Sequence, residues 1–135
     1  GSGKAVFTAS LFFNLSKSCG IELLPPLYNK ANALIKKVIN KDKKEYVKPI
    51  STIQFINKNF LDYDFSDADI IYIAATCLAD STWEQLIHKM EKLKPGSRVI
   101  VATKNIQHEK FERIHQGIDL MSWGLCPVRI YKIIS

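Results

Sequence analysis

Five residues of the chain have the types and the order to hold a nucleoside. Gly1-Ser-Gly3 makes a glycine turn that runs into a helical pattern starting at Lys4. Glycine has no Cβ, so backbone in such a turn can approach a ligand closely. Glu22 closes a short apolar stretch, where a carboxylate can accept hydrogen bonds from both hydroxyls of a ribose. Asn59-Phe60 follows the next strand and offers an aromatic contact to a purine. Each has a plainer role available: Glu22 as a surface acid, Phe60 as core. Their order is more informative than any one of them.

Three chemistries use a glycine turn entering a helix. A phosphate loop would end Gly-Lys-Ser/Thr, with the hydroxyl on magnesium; here Ala5 follows Lys4, and Ile70–Ala74 ends without the aspartate that would hold the ion. A dinucleotide fingerprint needs a third glycine for close helix–strand packing, and Val6 occupies that place, although Glu22 matches its distal acid. The third chemistry is binding of a methyl donor, S-adenosylmethionine (AdoMet). It needs the turn at the methionine part, an acid ending the second strand and an apolar contact after the third. Gly1, Gly3, Glu22, Asn59 and Phe60 supply these in sequence.

The elements that must position these residues alternate between helical and extended patterns. Lys4 to Ser16 reads as a helix, Cys19 to Leu24 as a strand, and Pro25-Pro26 opens a second helix. Its apolar side is Leu27, Ala31, Leu34, Ile35, Val38 and Ile39. Thr52–Ile56 alternates as a strand, and Asp69–Ala74 is a β-branched run suited to a buried parallel strand. Ser81-Thr-Trp-Glu84 is a capping box leading a helix that Pro95-Gly96 stops, after which Arg98–Thr103 is extended. His108–Gln116 reads as a short helix. Two last strands, Ile118–Trp123 and Val128–Ile134, are joined by Gly124 to Pro127, a link too short for a parallel crossover. The predicted fold is α/β: a Rossmann-like sheet, mostly parallel, with an antiparallel C-terminal hairpin.

The chain begins at the glycine turn with no strand ahead of it. A Gly-Ser-Gly start also suits a tag remnant, but a nucleotide fold places a strand before this turn. The expectation is a single domain over 1–135 that is N-terminally incomplete, with its first strand missing. The sheet would then have a gap beside Cys19–Leu24 and Asp69–Ala74.

With 135 residues, 47% hydrophobic and 24% charged, the chain excludes a disordered or fibrous protein. No apolar run approaches the ~20 residues that span a bilayer, so no membrane partner is expected. Nineteen basic against thirteen acidic residues give a net charge of +6, compatible with a polyanionic partner. Cys19, Cys77 and Cys126 are scattered, which reads as reduced thiols in an intracellular protein. His88, His108 and His115 lack metal-ligand spacing, so no metal is expected.

Several segments resemble the class I AdoMet-dependent methyltransferases, and within them the Dot-one histone lysine methyltransferases, which lack a SET domain. They are Gly1 to Phe7, Cys19-Gly-Ile-Glu-Leu23, Asn59-Phe-Leu61, Ala68 to Ile73, Leu93 to Ile100, and Ser122-Trp-Gly-Leu-Cys-Pro-Val-Arg-Ile-Tyr131. The last is the most discriminating. The resemblance implies that Gly1 and Gly3 line the methionine part of the cofactor, Glu22 holds the ribose, Asn59 faces the adenine amine and Phe60 stacks near the ring. It also implies a protein lysine substrate, with a nucleosome as partner, and a nuclear location.

Two positions depart from the family pattern: Ala5 stands for a third glycine, and Ala74-Ala75 for an asparagine pair near the methyl group. Alanine accepts no hydrogen bond from an amine. Either Thr76 and nearby carbonyls substitute, or lysine transfer is weakened or lost. Transfer to RNA or a small molecule, or a silent binding module, are the alternatives. Trp123 and Tyr131, with Phe12 or Phe13, are the aromatic candidates for an apolar channel that would keep a lysine amine neutral by desolvation. Lys36, Lys37, Lys43, Lys44, Lys104 and Lys110 offer a basic surface for nucleic acid.

Overall fold

The computed structural model describes residues 1–42 and 52–135, and side chains of the α2 end from 38 onward lie outside that description, as do Lys43 and Lys44. In chain order the elements are α1 (Lys4–Phe12), β1 (Lys17–Ile21), α2 (Pro25–Asp42), β2 (Thr52–Ile56), a 3-10 turn (Phe60–Asp62), β3 (Ile70–Ala74), α3 (Asp80–Met90), β4 (Arg98–Ala102), β5 (Phe111–Met121) and β6 (Gly124–Ile133). They divide into two compact units, Gly1–Tyr63 and Asp64–Ser135.

In the first unit β1 and β2 pair in parallel, from Lys17 opposite Thr52 to Ile21 opposite Ile56. Parallel neighbours need a crossover, and the long α2 lies in that connection. Phe7 of α1, Ala31 of α2 and Phe55 of β2 form the core, with Val6, Tyr28, Leu34, Ile35 and Ile53 around them. The rings of Phe7 and Phe55 lie 5.4 Å apart at a tilt of 55°. α1 is shorter than its sequence pattern suggests: Phe13 is already extended, at φ −117° and ψ 150°. The strand after it also ends early, at Ile21, which leaves Glu22 just beyond the ladder.

The second unit is a four-stranded sheet in the order β3-β4-β6-β5. β3 and β4 are parallel, while β6 runs antiparallel to both β4 and β5. α3 buries Trp83, Leu86 and Met90. On the sheet Val99, Val101, Tyr131 and Ile133 are fully buried. The Trp83 indole donates to the Asn105 carbonyl at 3.0 Å, and the Tyr131 hydroxyl donates to the Asn105 side chain at 2.7 Å. A second small cluster joins Ala102, Cys126 and Val128 to Ile100 and Met121.

Four expectations change here. The region 108–116 is not a helix: β5 runs from Phe111, with a register irregularity between Arg113 and His115. The hairpin turn is Ser122-Trp123, closed by the pair Met121–Gly124, rather than the Gly124–Pro127 segment. α3 starts at Asp80, before the capping box, and its N-cap Ala79 makes no side-chain bond. β3 is the edge of its sheet and leaves Ile70 and Tyr72 exposed, so it is not buried on both faces. The strands expected to flank a missing one, β1 and β3, belong to different sheets. Among the described residues no helix is long and apolar enough to cross a membrane.

Candidate functional site

Gly1, Gly3, Glu22, Asn59 and Phe60 all belong to the first unit. Gly3 caps α1 in the left-handed region at φ 85°, and its carbonyl accepts from Phe7 N at 3.0 Å. A Cβ on Gly3 would meet Phe55 Cζ at 2.5 Å and Cε1 at 2.9 Å. Both the backbone angle and the core therefore demand glycine at this position.

Glu22 extends the β1–β2 ladder by one bond, its N–H donating to the Ile56 carbonyl at 3.0 Å. Its carboxylate is only 12% exposed. Oε1 accepts from Leu24 N at 2.8 Å, while Oε2 meets the Gly1 nitrogen. One oxygen is thus fixed by the turn into α2, and the other faces the glycine turn.

The next parallel strand ends similarly. Asn59 stands three residues past Ile56, caps the 3-10 turn and accepts from Leu61 N at 3.0 Å through Oδ1. Phe60 follows it, half-buried. Asn57, which the sequence reading passed over, donates through Nδ2 to the carbonyls of Glu22 at 2.8 Å and Leu23 at 3.0 Å. Two asparagines flanking a lysine directly after a strand were the available signal, since asparagine bonds readily to nearby backbone.

Ala74, Ala75, Thr76 and Trp123 belong to the second unit. Ala74 ends β3 and is exposed; Ala75 is wholly buried, its N–H donating to the Ala102 carbonyl at 3.1 Å. Thr76 is exposed, and its hydroxyl lies 2.8 Å from that of Thr103. Thr103, just past β4, has φ 82°, a left-handed angle that β-branched residues rarely adopt. Three contacts over-determine it: Thr103 N donates to the Pro127 carbonyl at 2.8 Å, Arg129 Nη1 donates to Thr103 O at 3.2 Å, and the Thr76 hydroxyl completes the set. Nothing in the sequence signals a threonine at such an angle.

Trp123 sits in the hairpin turn, 53% exposed. Tyr131, expected to line a channel, is core: it is 1% exposed, and its hydroxyl both donates to Asn105 and accepts from Ile106 N at 3.1 Å. Phe12 and Phe13 are exposed. Lys104, expected on the basic surface, is committed to Asp80 at 2.6 Å. Among the described residues no group of three or more His, Cys, Asp or Glu could hold a metal ion.

The family model described as "Histone methylation protein DOT1" matches residues 1–122. The chain belongs to that family. No curated protein sequence matches the chain. Solved structures similar to it include methyltransferases of low identity. A Streptococcus pneumoniae protein described as "a putative tRNA (m1A22) methyltransferase, in complex with S-adenosyl-L-methionine" is 16% identical with a TM-score of 0.69, covering 100% of this chain and 63% of its own. The magnesium protoporphyrin IX methyltransferase of Synechocystis PCC 6803, with bound SAM, is 10% identical with a TM-score of 0.66, covering 98% and 66%. The Haemophilus influenzae "putative methylase HI0767" is 17% identical with a TM-score of 0.63, covering 89% and 74%. The DOT1-family chain thus has the Rossmann-like class I methyltransferase fold, and spans about three fifths to three quarters of these structures' length.

Proposed function

We propose that this DOT1-family chain is an AdoMet-dependent methyltransferase whose first unit holds the cofactor. The observation that carries the reading is Glu22: a mostly buried carboxylate at the carboxyl end of a parallel strand, with one oxygen fixed and the other turned to a glycine turn. Ligands of open α/β sheets bind at such strand ends. The residues present fit the cofactor. A carboxylate offers about four lone-pair sites; the Leu24 N–H and the Gly1 nitrogen use two, leaving room for the ribose hydroxyls. Asn59 Oδ1 accepts one N–H and keeps a lone pair for an adenine amine, and Phe60 supplies the adjacent ring.

When bound, the cofactor supplies a sulfonium methyl group that passes to a nucleophile with release of the thioether. The protein's work is to orient donor and acceptor and exclude water. The family points to a protein lysine as acceptor, with histone in a nucleosome as the natural context and the nucleus as the location. A lysine must first lose a proton, which an apolar wall such as Trp123 would favour. Ala74 and Ala75 supply no hydrogen-bond acceptor side chain; Thr76, bonded to Thr103, is the next polar side chain along the sequence.

One observation favours a second acceptor class. Ala75 is sealed in the interior, so the family's polar pair has no counterpart at that position. Similar folds described as a "putative tRNA (m1A22) methyltransferase" and a magnesium protoporphyrin IX methyltransferase make RNA or a small molecule an equal candidate. Labelled AdoMet offered with histones, nucleosomes and RNA separates these. Label on histone lysine supports the family reading, and label on RNA alone replaces it. Binding of AdoMet with no transfer to any acceptor leaves a binding module.

A further inference from the structure

We infer that Asn57 is a positioning residue for ribose recognition, acting through the backbone that carries Glu22; the inference rests on the AdoMet reading above. β1 and β2 stop pairing at the Glu22–Ile56 bond, because the chain after Glu22 turns away into α2. The carbonyls of Glu22 and Leu23 would then face no strand partner. The Asn57 amide, one residue past the end of β2, reaches both, at 2.8 and 3.0 Å.

A side chain thereby continues the ladder for two residues where backbone no longer can. The consequence falls on the carboxylate. Glu22 is held at its N–H by Ile56, at its C=O by Asn57 and at Oε1 by Leu24 N. With its backbone fixed on both sides, its remaining freedom is in the side chain, and Leu24 restrains that as well. Oε2 is left turned toward the glycine turn.

Ordering a carboxylate before the ligand arrives removes an entropic cost of binding. Asn57 itself touches neither carboxylate oxygen, so its effect on a ligand must pass through Glu22. Its neighbour Asn59 differs, because its Oδ1 bonds within its own turn, to Leu61 N.

The test is titration calorimetry of the whole chain with 5′-methylthioadenosine and with its 2′-deoxy counterpart, alongside thermal melts. Wild type is expected to prefer the ribose form by about tenfold or more, the scale of a hydrogen bond to a charged group. In Asn57→Ala that preference should fall toward one, as in Glu22→Gln, and the double variant should fall no further. A purely structural staple would weaken both nucleosides equally and leave the ratio untouched, which overturns the inference alone. Absence of binding of either nucleoside to wild type overturns the AdoMet reading and the inference with it. Should Asn57→Ala melt below the assay temperature, Asn57→Ser supplies the same ratio, since its shorter donor cannot span both carbonyls.

Discussion

Two residues with nearly the same backbone angle, one in each unit, are held there by opposite means. Gly3 has φ 85° and Thr103 has φ 82°. Gly3 adopts its angle at no steric cost, and the absence of a Cβ lets Phe55 pack against it. Thr103 pays for its angle in strain of about 1–3 kcal/mol and is kept there by Pro127, Arg129 and Thr76. The first unit builds its strand end from residue type. The second builds its strand end from tertiary bonds, and strain so over-determined marks a place where geometry matters more than stability.

Placing alanine on the glycine side should have the largest effect. Gly3→Ala forces a Cβ into a left-handed angle and against a buried ring, so it should destabilise the first unit by roughly 2–4 kcal/mol. Gly20→Ala is the sharpening control. Its Cβ would meet the same Phe55 ring at 2.7 Å, but Gly20 is not at a positive φ, so it should carry the packing cost alone. Equal destabilisation of the two in denaturant titrations would show that the angle at Gly3 contributes nothing.

Next comes the carboxylate beside that turn. Glu22→Ala should weaken AdoMet by about 1.5–3 kcal/mol, the scale for bonds to a charged group. Calorimetry with unchanged affinity would remove Glu22 from the site while leaving the Gly3 contrast standing.

The same contrast explains what was legible in the sequence. The first unit was readable because its determinants are local: two glycines, an acid at a strand end and a proline pair opening α2. The second was misread where long-range pairing overrides local pattern. Between Phe111 and Ile118, apolar residues fall at helix-like intervals because the irregularity at Arg113–His115 displaces Ile114 from strict alternation. Pairing with β6 makes it a strand regardless. Pro127 looked like a strand end for a similar reason. Its carbonyl accepts from Thr103 N just beyond the last β4–β6 pair, and the Thr103 carbonyl, which a proline cannot serve, accepts from Arg129 instead. Asn57 and Thr103 were invisible for a third reason: what each does depends on which carbonyl or hydroxyl the fold brings near.

The reciprocal exchange in the second unit should have a smaller effect than Gly3→Ala. Thr103→Gly removes the strain but loses the exposed hydroxyl pair and adds the unfolded-chain entropy of glycine, about 0.5–1 kcal/mol. The net expectation lies between neutrality and a gain of about 1 kcal/mol. Both tryptophans, Trp83 and Trp123, lie in the second unit, so their fluorescence follows its unfolding selectively. A loss above ~2 kcal/mol would mean that the hydroxyl pair outweighs the strain.

The smallest effect concerns acid. Asp64, Asp80 and Glu91 of the second unit are held below the ordinary carboxylate range, by the Ser66 N–H, by Lys104 and by His88 respectively. Glu91 is the instructive case, since its Oε1 meets His88 Nδ1 at 2.7 Å and His108 Nε2 at 3.3 Å. His108 Nδ1 accepts from Lys110 N at 3.3 Å, which places the proton of a neutral ring on Nε2, toward Glu91. A carboxyl whose folded pKa lies below its unfolded value contributes stability that is complete above the ordinary value of 4.5. That contribution fades as pH falls through the lower, folded value. The tryptophan-detected midpoint should therefore drop as pH falls below the ordinary carboxylate value, and Glu91→Gln should flatten part of that drop while changing little at pH 7. Asp64 and Asp80 are exposed and Glu91 is half-buried at the surface, so the drop should be shallow and should shrink further in high salt. An identical pH profile for Glu91→Gln would show that the histidine pair leaves this carboxylate energetically unaltered, and that the second unit's bonds matter at Thr103 rather than here.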